Sequence, residues 1–441
     1  MRKCIIFLCL IILGANVHAQ PKRTFGTSDY VHALKRSTDI MVNDVTSPVA
    51  ASRYYAYITL SATEVFTLFN SGHPALSTSI KGFKKLVIAD SILRIADPTL
   101  ASILCVYKTS ARLLPSGHLM KQPIDSIIKL ASKNLRPEVV SKTSQMVDSI
   151  VVQIIQYANA DGFRKLSGMR RYTPTTGDGY WQPTAPAFMP ALEPYWGTVR
   201  PFLLDSASQF KPKQPAAYST DSSTEYFKLL KEVQAQGRPT NKEKQDIAMF
   251  WDCNPFALQQ MGHLEFGLKK ISPGGHWMGI TGIACLKSKK SLAEASYIHA
   301  LTAITLADAF ISCWDEKYRS NRVRPETGIK RLIDPMWQPL LQTPPFPEYP
   351  SGHSVISTAA ATVLTKIFGN NFSYVDDTEE EFGLAPRKFK SFKQAADEAA
   401  ISRLYGGIHY RDAIENGVKE GSAVGEWVLS KLPAKDVAGR K

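Results

Sequence analysis

The chain is poor in cysteine: six in 441 residues, with no C-x-x-C pair. Beyond the first ten residues only Cys105, Cys253, Cys285 and Cys313 remain, widely separated. Such spacing supports neither a zinc site nor a disulfide scaffold. It leaves the pairing open, with buried free thiols, and room for a single bridge, as the plainest reading. Long apolar runs are missing as well. After the first 20 residues no run of about 18 apolar residues occurs, which argues against a polytopic membrane protein. Basic residues outnumber acidic ones, 53 to 39, for a formal charge of +14, yet no polybasic tail or nucleic-acid module concentrates them. Nucleic acid is therefore not an expected partner, and a small anionic substrate fits better. No internal repeat is visible, and the alternation that marks strands is almost absent. What remains, 44% hydrophobic and 21% charged residues, is ordinary globular composition.

Arg2 and Lys3 precede an apolar stretch, Cys4 to Gly14, and then Val17-His18-Ala19. The stretch is too short to span a bilayer. It predicts a signal peptide over 1–19, cleavage before Gln20, and export to the periplasm or medium.

Helical spacing of apolar residues dominates the rest. Over 20–166 it predicts helices across 28–69, 81–96, 97–114, 122–133 and 138–160. Residues 167–216 are rich in proline and aromatics and read as an ordered crossing loop. Over 217–432 helices are expected at 221–236 and 240–251, and an irregular stretch at Ile271 to Trp277. Capping-box signals at Ser291/Glu294 and Ser391/Gln394 open helices reaching about Tyr318 and Tyr405. Further helices are expected at 353–368 and 409–431, before a tail, 433–441. Ala413, Gly417, Gly421 and Gly425 recur every fourth residue, a smooth stripe for close packing. The fold class is all-α, one or two helical bundles.

Three segments carry chemistry. Lys317-Tyr318-Arg319-Ser320-Asn321-Arg322-Val323-Arg324-Pro325 crowds four cations at a helix end. Phe346-Pro347-Glu348-Tyr349-Pro350-Ser351-Gly352-His353 brings a Ser-Gly pair and a histidine to a helix start, where free N–H groups cradle anions. Ser402-Arg403-Leu404-Tyr405-Gly406-Gly407-Ile408-His409 adds a fixed cation and a second histidine. Together they suit a tetrahedral oxyanion: guanidinium groups grip oxygens in pairs, lysine acts as a point charge, and two histidines can bind, attack or move protons.

K-x6-R-P, P-S-G-H and S-R-x5-H, in this order, resemble the signature of the vanadium-dependent haloperoxidase and type-2 phosphatidic acid phosphatase superfamily. The resemblance implies that Lys317, Arg324, Ser351, Gly352 and Arg403 hold the oxygens of vanadate or phosphate. It makes His353 the acid–base residue, and His409 the vanadium ligand or the attacking nucleophile. Phe250-Trp251-Asp252, Pro273-Gly274-Gly275-His276-Trp277, the loop from Tyr180 to Phe202, and Gly406 to Arg411 extend it across about 25–432, similar to soluble bacterial haloperoxidases. Two four-helix-bundle-like halves are implied, the second of them catalytic. Trp314 and Phe346 match positions that wall a halide pocket in chloroperoxidase-like relatives.

One departure bears on the chemistry. Phosphatase relatives carry an aspartate four residues after the last histidine, where this chain has Ala413; Asp412 is one residue early, about 100° around a helix. The leading reading is a vanadate-dependent haloperoxidase acting on hydrogen peroxide and halide. The alternatives are a soluble acid phosphatase cleaving phosphomonoesters through a phosphohistidine, and an oxyanion-binding protein without turnover.

Overall fold

The structure is a computed structural model that describes residues 25–69, 75–255, 257–261, 264–267 and 269–432. The expected signal peptide and the 433–441 tail lie outside the described residues. The N-terminal part contributes α1 (Thr27–Asn43), α2 (Pro48–Leu68), the single turn α3 (Asp90–Leu93), α4 (Pro98–Leu113), α5 (Lys121–Asn134) and α6 (Pro137–Asn159). After the loop come α7 (Glu225–Gln236), α8 (Lys242–Phe250), a hairpin of β1 (Leu258–Met261) and β2 (Leu264–Gly267), α9 (Pro273–Lys287) and α10 (Leu292–Ser320). The chain continues with α11 (Pro325–Leu332), α12 (Gly352–Phe368), antiparallel β3 (Tyr374–Asp376) and β4 (Arg387–Phe389), α13 (Phe392–Tyr405) and α14 (Arg411–Ser430). The all-α expectation holds, and the four cysteines beyond the N-terminus are buried and free.

Local chemistry sets the boundaries. The stretch 28–69 is two helices, because Ser47 accepts from the Ala50 N–H and Pro48 at the first helical position starts a new one. The helix expected over 81–96 shrinks to α3. Residues 81–89 form no helix; Leu86 and Ile88 are buried, and the Gln153 amide bonds both backbone groups of Val87 at 3.1 Å, so no helix is needed to satisfy them. The stretch expected to be irregular from Ile271 is instead the start of α9. Ser272 caps it, and its glycines let it close on α2: a Cβ at Gly275 would stand 3.0 Å from the Tyr55 hydroxyl. Ser291 and Glu294 form the full reciprocal cap. Ser391 accepts from Gln394 N, but the Gln394 side chain turns to Lys390 N, so only half of the second box exists.

α10 is the axis. It packs along α2 and α12, with α9 and α14 beside it, while α4 joins α2 to α6. It is long and apolar enough to cross a membrane by length and composition, and its most apolar stretch is buried in the protein. The small-residue stripe of α14 lies on α12: a Cβ at Gly421 would stand 2.2 Å from the Val355 carbonyl oxygen, and one at Gly417 2.9 Å from the Ser354 side chain. This close approach sets the N-terminus of α12, with Ser351, Gly352 and His353, against the start of α14.

The loop 167–216 is ordered, with Trp181, Trp196, Phe202, Leu203 and Leu204 buried. Trp181 N–H donates to Asn321 O (2.9 Å), Val323 N–H to Gly179 O (3.0 Å) and Leu192 N–H to Pro345 O (2.9 Å), so the loop straps two of the motif segments. Its far end is fastened by Asp308 of α10, whose buried carboxylate accepts from the N–H groups of Phe202, Leu203 and Leu204 at 2.7, 2.7 and 2.9 Å.

Candidate active site

α10 ends at Ser320, and Asn321 takes a left-handed conformation (φ 49°) before Pro325 opens α11. The turn places Lys317 in the last turn of α10 and Arg324 at the cap of α11. Lys317 is fully buried; its ammonium donates to the carbonyls of Pro347 and Glu348 (3.1 Å each) and Pro350 (2.5 Å). It thereby shapes the loop that leads into α12. Burial pushes its pKa down to about 8, and Arg324 pushes the same way.

Arg324 donates through Nε to Phe346 O (2.9 Å) and through Nη1 to Ile408 O (2.9 Å) and His409 Nε2 (3.2 Å). Arg403, in the last turn of α13, donates through Nη1 to Trp251 O (2.7 Å), with Asp252 3.8 Å from Nη2. Both guanidiniums are buried, and both are pushed below their usual range by that burial, Arg324 to about 10. Each keeps a buried N–H group without a partner among the described residues, on Arg324 Nη2 and Arg403 Nε. A guanidinium buried with unsatisfied donors is costly unless an anion supplies the acceptors.

The histidines are held in defined tautomers. His409 donates from Nδ1 to Glu348 Oε1 (2.9 Å), which leaves Nε2 a lone pair that accepts from Arg324 Nη1. His353 bonds the Trp251 carbonyl, and its Nε2 is buried and without a partner among the described residues. Burial first, then Arg324 for His409 and Arg403 for His353, hold both imidazoles well below their ordinary pKa and therefore neutral. Ser351 caps α12 by accepting from Ser354 N–H (3.4 Å), so its own O–H remains free to donate. A Cβ at Gly352 would lie 3.8 Å from the Trp314 ring and 3.9 Å from Lys317, in the mouth of the cradle.

All nine residues singled out in the sequence converge. Trp314, Phe346, Gly352, His353, Arg403 and His409 line one cavity of about 40 Å³, with Lys317, Arg324 and Ser351 behind that lining. By the same measure a water needs about 10–15 Å³, so the cavity has room for about the four oxygens of an oxyanion and little more. Trp314 and Phe346 pack with ring centroids 4.9 Å apart, and Phe346 also lies under Arg324 and Lys317, at 4.9 and 5.1 Å.

Sequence reading missed Glu348. It stands inside the segment quoted above and was the carboxylate nearest to P-S-G-H; that position was the available signal. Its Oε1 also accepts from Tyr410 N–H (3.0 Å), and burial pushes its pKa up to about 7. Asp412 does miss His409, as its spacing implied, but it is no idle surface carboxylate. It pairs with Arg322 at 2.7 Å, and Arg322 faces Glu348 at 3.4 Å. Of the four clustered cations, Arg319 is paired with Asp315 and Glu316, which leaves Lys317 and Arg324 for the cavity. The Trp251 carbonyl, shared by Arg403 and His353, was also missed, because backbone acceptors leave no trace in residue type.

Comparisons with known proteins agree with this architecture. Residues 332–435 match the family described as the VCPO second helical-bundle domain. A solved structure described as the first bacterial vanadium-dependent iodoperoxidase is 43% identical, covers 93% of this chain and 98% of its own, and superposes with a TM-score of 0.88. Apo- and holo-type bacterial vanadium-dependent chloroperoxidases share the fold at 14% and 13% identity, with TM-scores of 0.64 and 0.63; they cover 87% and 93% of this chain and 95% and 96% of their own. No curated protein matches. With this identity over nearly its whole length, the chain belongs to the vanadium-dependent haloperoxidase family.

Proposed function

We propose that the protein oxidises halide, iodide foremost, with hydrogen peroxide at a vanadate held against His409. The observation that carries the reading is a His409 Nε2 lone pair, held by Arg324 alone among the described residues, beside two buried guanidiniums that each keep an N–H group without a partner among the described residues. That donor set fits a tetrahedral oxyanion: one lone pair for the central atom, and N–H and O–H groups of Arg324, Arg403, Ser351, Gly352 and Lys317 for the oxygens. The preference for iodide follows the relative at 43% identity.

Bound vanadate supplies a Lewis-acidic centre that activates peroxide toward halide without changing its own oxidation state. The protein's part is to hold and to move protons. Arg324 and Arg403 neutralise the oxyanion in a site that water hardly enters. Glu348 fixes the tautomer of His409 and keeps its Nε2 electron-rich. The neutral His353 accepts the proton that peroxide must lose, and returns it to the oxygen that leaves as water. Trp314 and Phe346 form an apolar wall where halide sheds its hydration. The small cavity of about 40 Å³ suits peroxide and halide as the groups that meet the anion.

Titration of metal-free protein with vanadate tests the reading, with iodide oxidation and phosphomonoester hydrolysis followed on one sample. Saturable vanadate-dependent iodide oxidation, competed by phosphate, is expected, and Trp314→Ala and Phe346→Ala are expected to weaken it. His409's lone pair could equally attack phosphorus. Vanadate-inhibited hydrolysis with no halide oxidation would establish the phosphatase instead, because vanadate mimics that transition state. Export is part of the proposal: N-terminal sequencing of periplasmic or secreted protein is expected to begin near Gln20, and an intact Met1 there refutes it.

A further inference from the structure

Cys253, His276, Asp376 and Glu379 come from three segments: the turn after α8, the first turn of α9, and the end of β3 with the turn directly beyond it. They meet in a cluster closed to solvent. His276 Nε2 lies 2.8 Å from Asp376 Oδ2, and that carboxylate is itself held by the Thr378 hydroxyl at 2.6 Å. With Nε2 turned to Asp376, Nδ1 on the other edge is the imidazole's second ligand atom, a lone pair once it carries no proton. Facing that edge are Cys253 Sγ at 3.4 Å and Glu379 Oε1 at 3.1 Å, themselves 3.8 Å apart. Trp251 stacks on the imidazole at 4.6 Å and 18° and fixes its plane.

Three groups that can each give an electron pair when deprotonated therefore stand within 4.8 Å of one another. Donors about 2.0–2.3 Å from a tetrahedral zinc ion stand about 3.3–3.6 Å from one another, close to the three separations seen here. A histidine whose second nitrogen is oriented by a carboxylate is the usual support for such a ligand. Thiolate with imidazole and one carboxylate selects zinc-like cations over magnesium or calcium.

We propose that Cys253, His276 and Glu379 hold one zinc-class divalent cation, with Asp376 orienting the histidine and the fourth coordination position left to water. This metal site borders the oxyanion cavity, whose lining includes Cys253, but its ligands are not the oxyanion-holding residues and it does not rest on the vanadate reading. Cysteine spacing could not reveal it, because its ligands lie 23 and more than 100 residues apart. The two sites share Trp251, which stacks on His276 with its ring and holds Arg403 and His353 with its carbonyl. Occupancy would stiffen the floor beneath both of those side chains.

Elemental analysis of the full-length protein, purified without chelator, tests the site, with vanadium measured alongside. About one equivalent of zinc or a similar cation per chain is expected, whatever the vanadium content. After chelator treatment, one equivalent of Zn²⁺ should rebind. Co²⁺ added to the wild-type protein should give a near-ultraviolet thiolate charge-transfer band that zinc then displaces, a readout needing no variant. Cys253→Ser should abolish the band, and Glu379→Gln should weaken binding about 10-fold or more. Absence of a saturable one-to-one site for both Zn²⁺ and Co²⁺ overturns the proposal, and the cluster is then an imidazolium held between two carboxylates beside a thiol.

Discussion

The two flanks of the cavity are built differently. On the α11–α14 flank, His409 is held by a carboxylate, and behind Glu348 stands a charged chain through Arg322 to Asp412. On the α8–α13 flank, His353 and Arg403 share a neutral acceptor, the Trp251 carbonyl. A carboxylate partner makes an imidazole a better electron donor, while a carbonyl only selects the tautomer. The structure thus divides the labour between two residues of one type: the first suited to hold a central atom, the second left free to exchange protons. Both are neutral in the anion-free site. A bound oxyanion would bring the negative charge that lets His353 hold a proton during turnover.

The largest effect expected from this division is on rate. His353→Ala should lower turnover by about 100- to 10,000-fold while vanadate affinity moves far less. Steady-state rates and a vanadate binding isotherm on one variant check it; parallel losses in both would erase the distinction between the flanks. His409→Ala, in contrast, should lose bound vanadate altogether.

A smaller effect is expected from the partner behind His409. Glu348→Gln should weaken vanadate binding by about 10- to 100-fold, the range for a lost carboxylate support. Asp412→Asn, one link further back, should fall short of that. An equal effect from both variants would mean that Arg322 rather than Glu348 sets the properties of His409.

The same comparison separates what the sequence reveals from what it hides. Lys317, Arg324, His353, Arg403 and His409 were legible because side-chain type and fixed spacing identify them. The helices were legible where apolar periodicity coincides with a cap, as at Ser291. Residues 81–89 were misread because Gln153, distant in sequence, satisfies their backbone and no local signal announces it. The start of α9 was misread because glycines that permit contact with Tyr55 look like loop residues until the neighbour is known. The Trp251 carbonyl is a fact of tertiary packing alone. Glu348 fell between these cases: its type was visible, but Asp412 drew the attention that a motif reserves for the position after the histidine.

The smallest effect expected concerns Lys317, which touches both flanks through the loop it clamps. Its folded pKa is lowered to about 8 from an ordinary 10.5, chiefly by burial. The folded protein therefore binds this proton less readily than the unfolded chain, and between about pH 8 and 10.5 the anion-free protein should gain stability from this group as pH rises. Anion binding has the opposite sign. It favours the ammonium, so affinity should fall above about pH 8, by at most about tenfold for each further pH unit. Vanadate titrates too, which a second protein removes from the comparison: Lys317→Arg keeps its charge throughout this range. The ratio of wild-type to variant vanadate affinity should be flat below pH 8 and decline above it. A ratio that stays flat to pH 10 would show that Lys317 serves the loop carbonyls of Pro347, Glu348 and Pro350 and leaves the oxyanion to the two arginines.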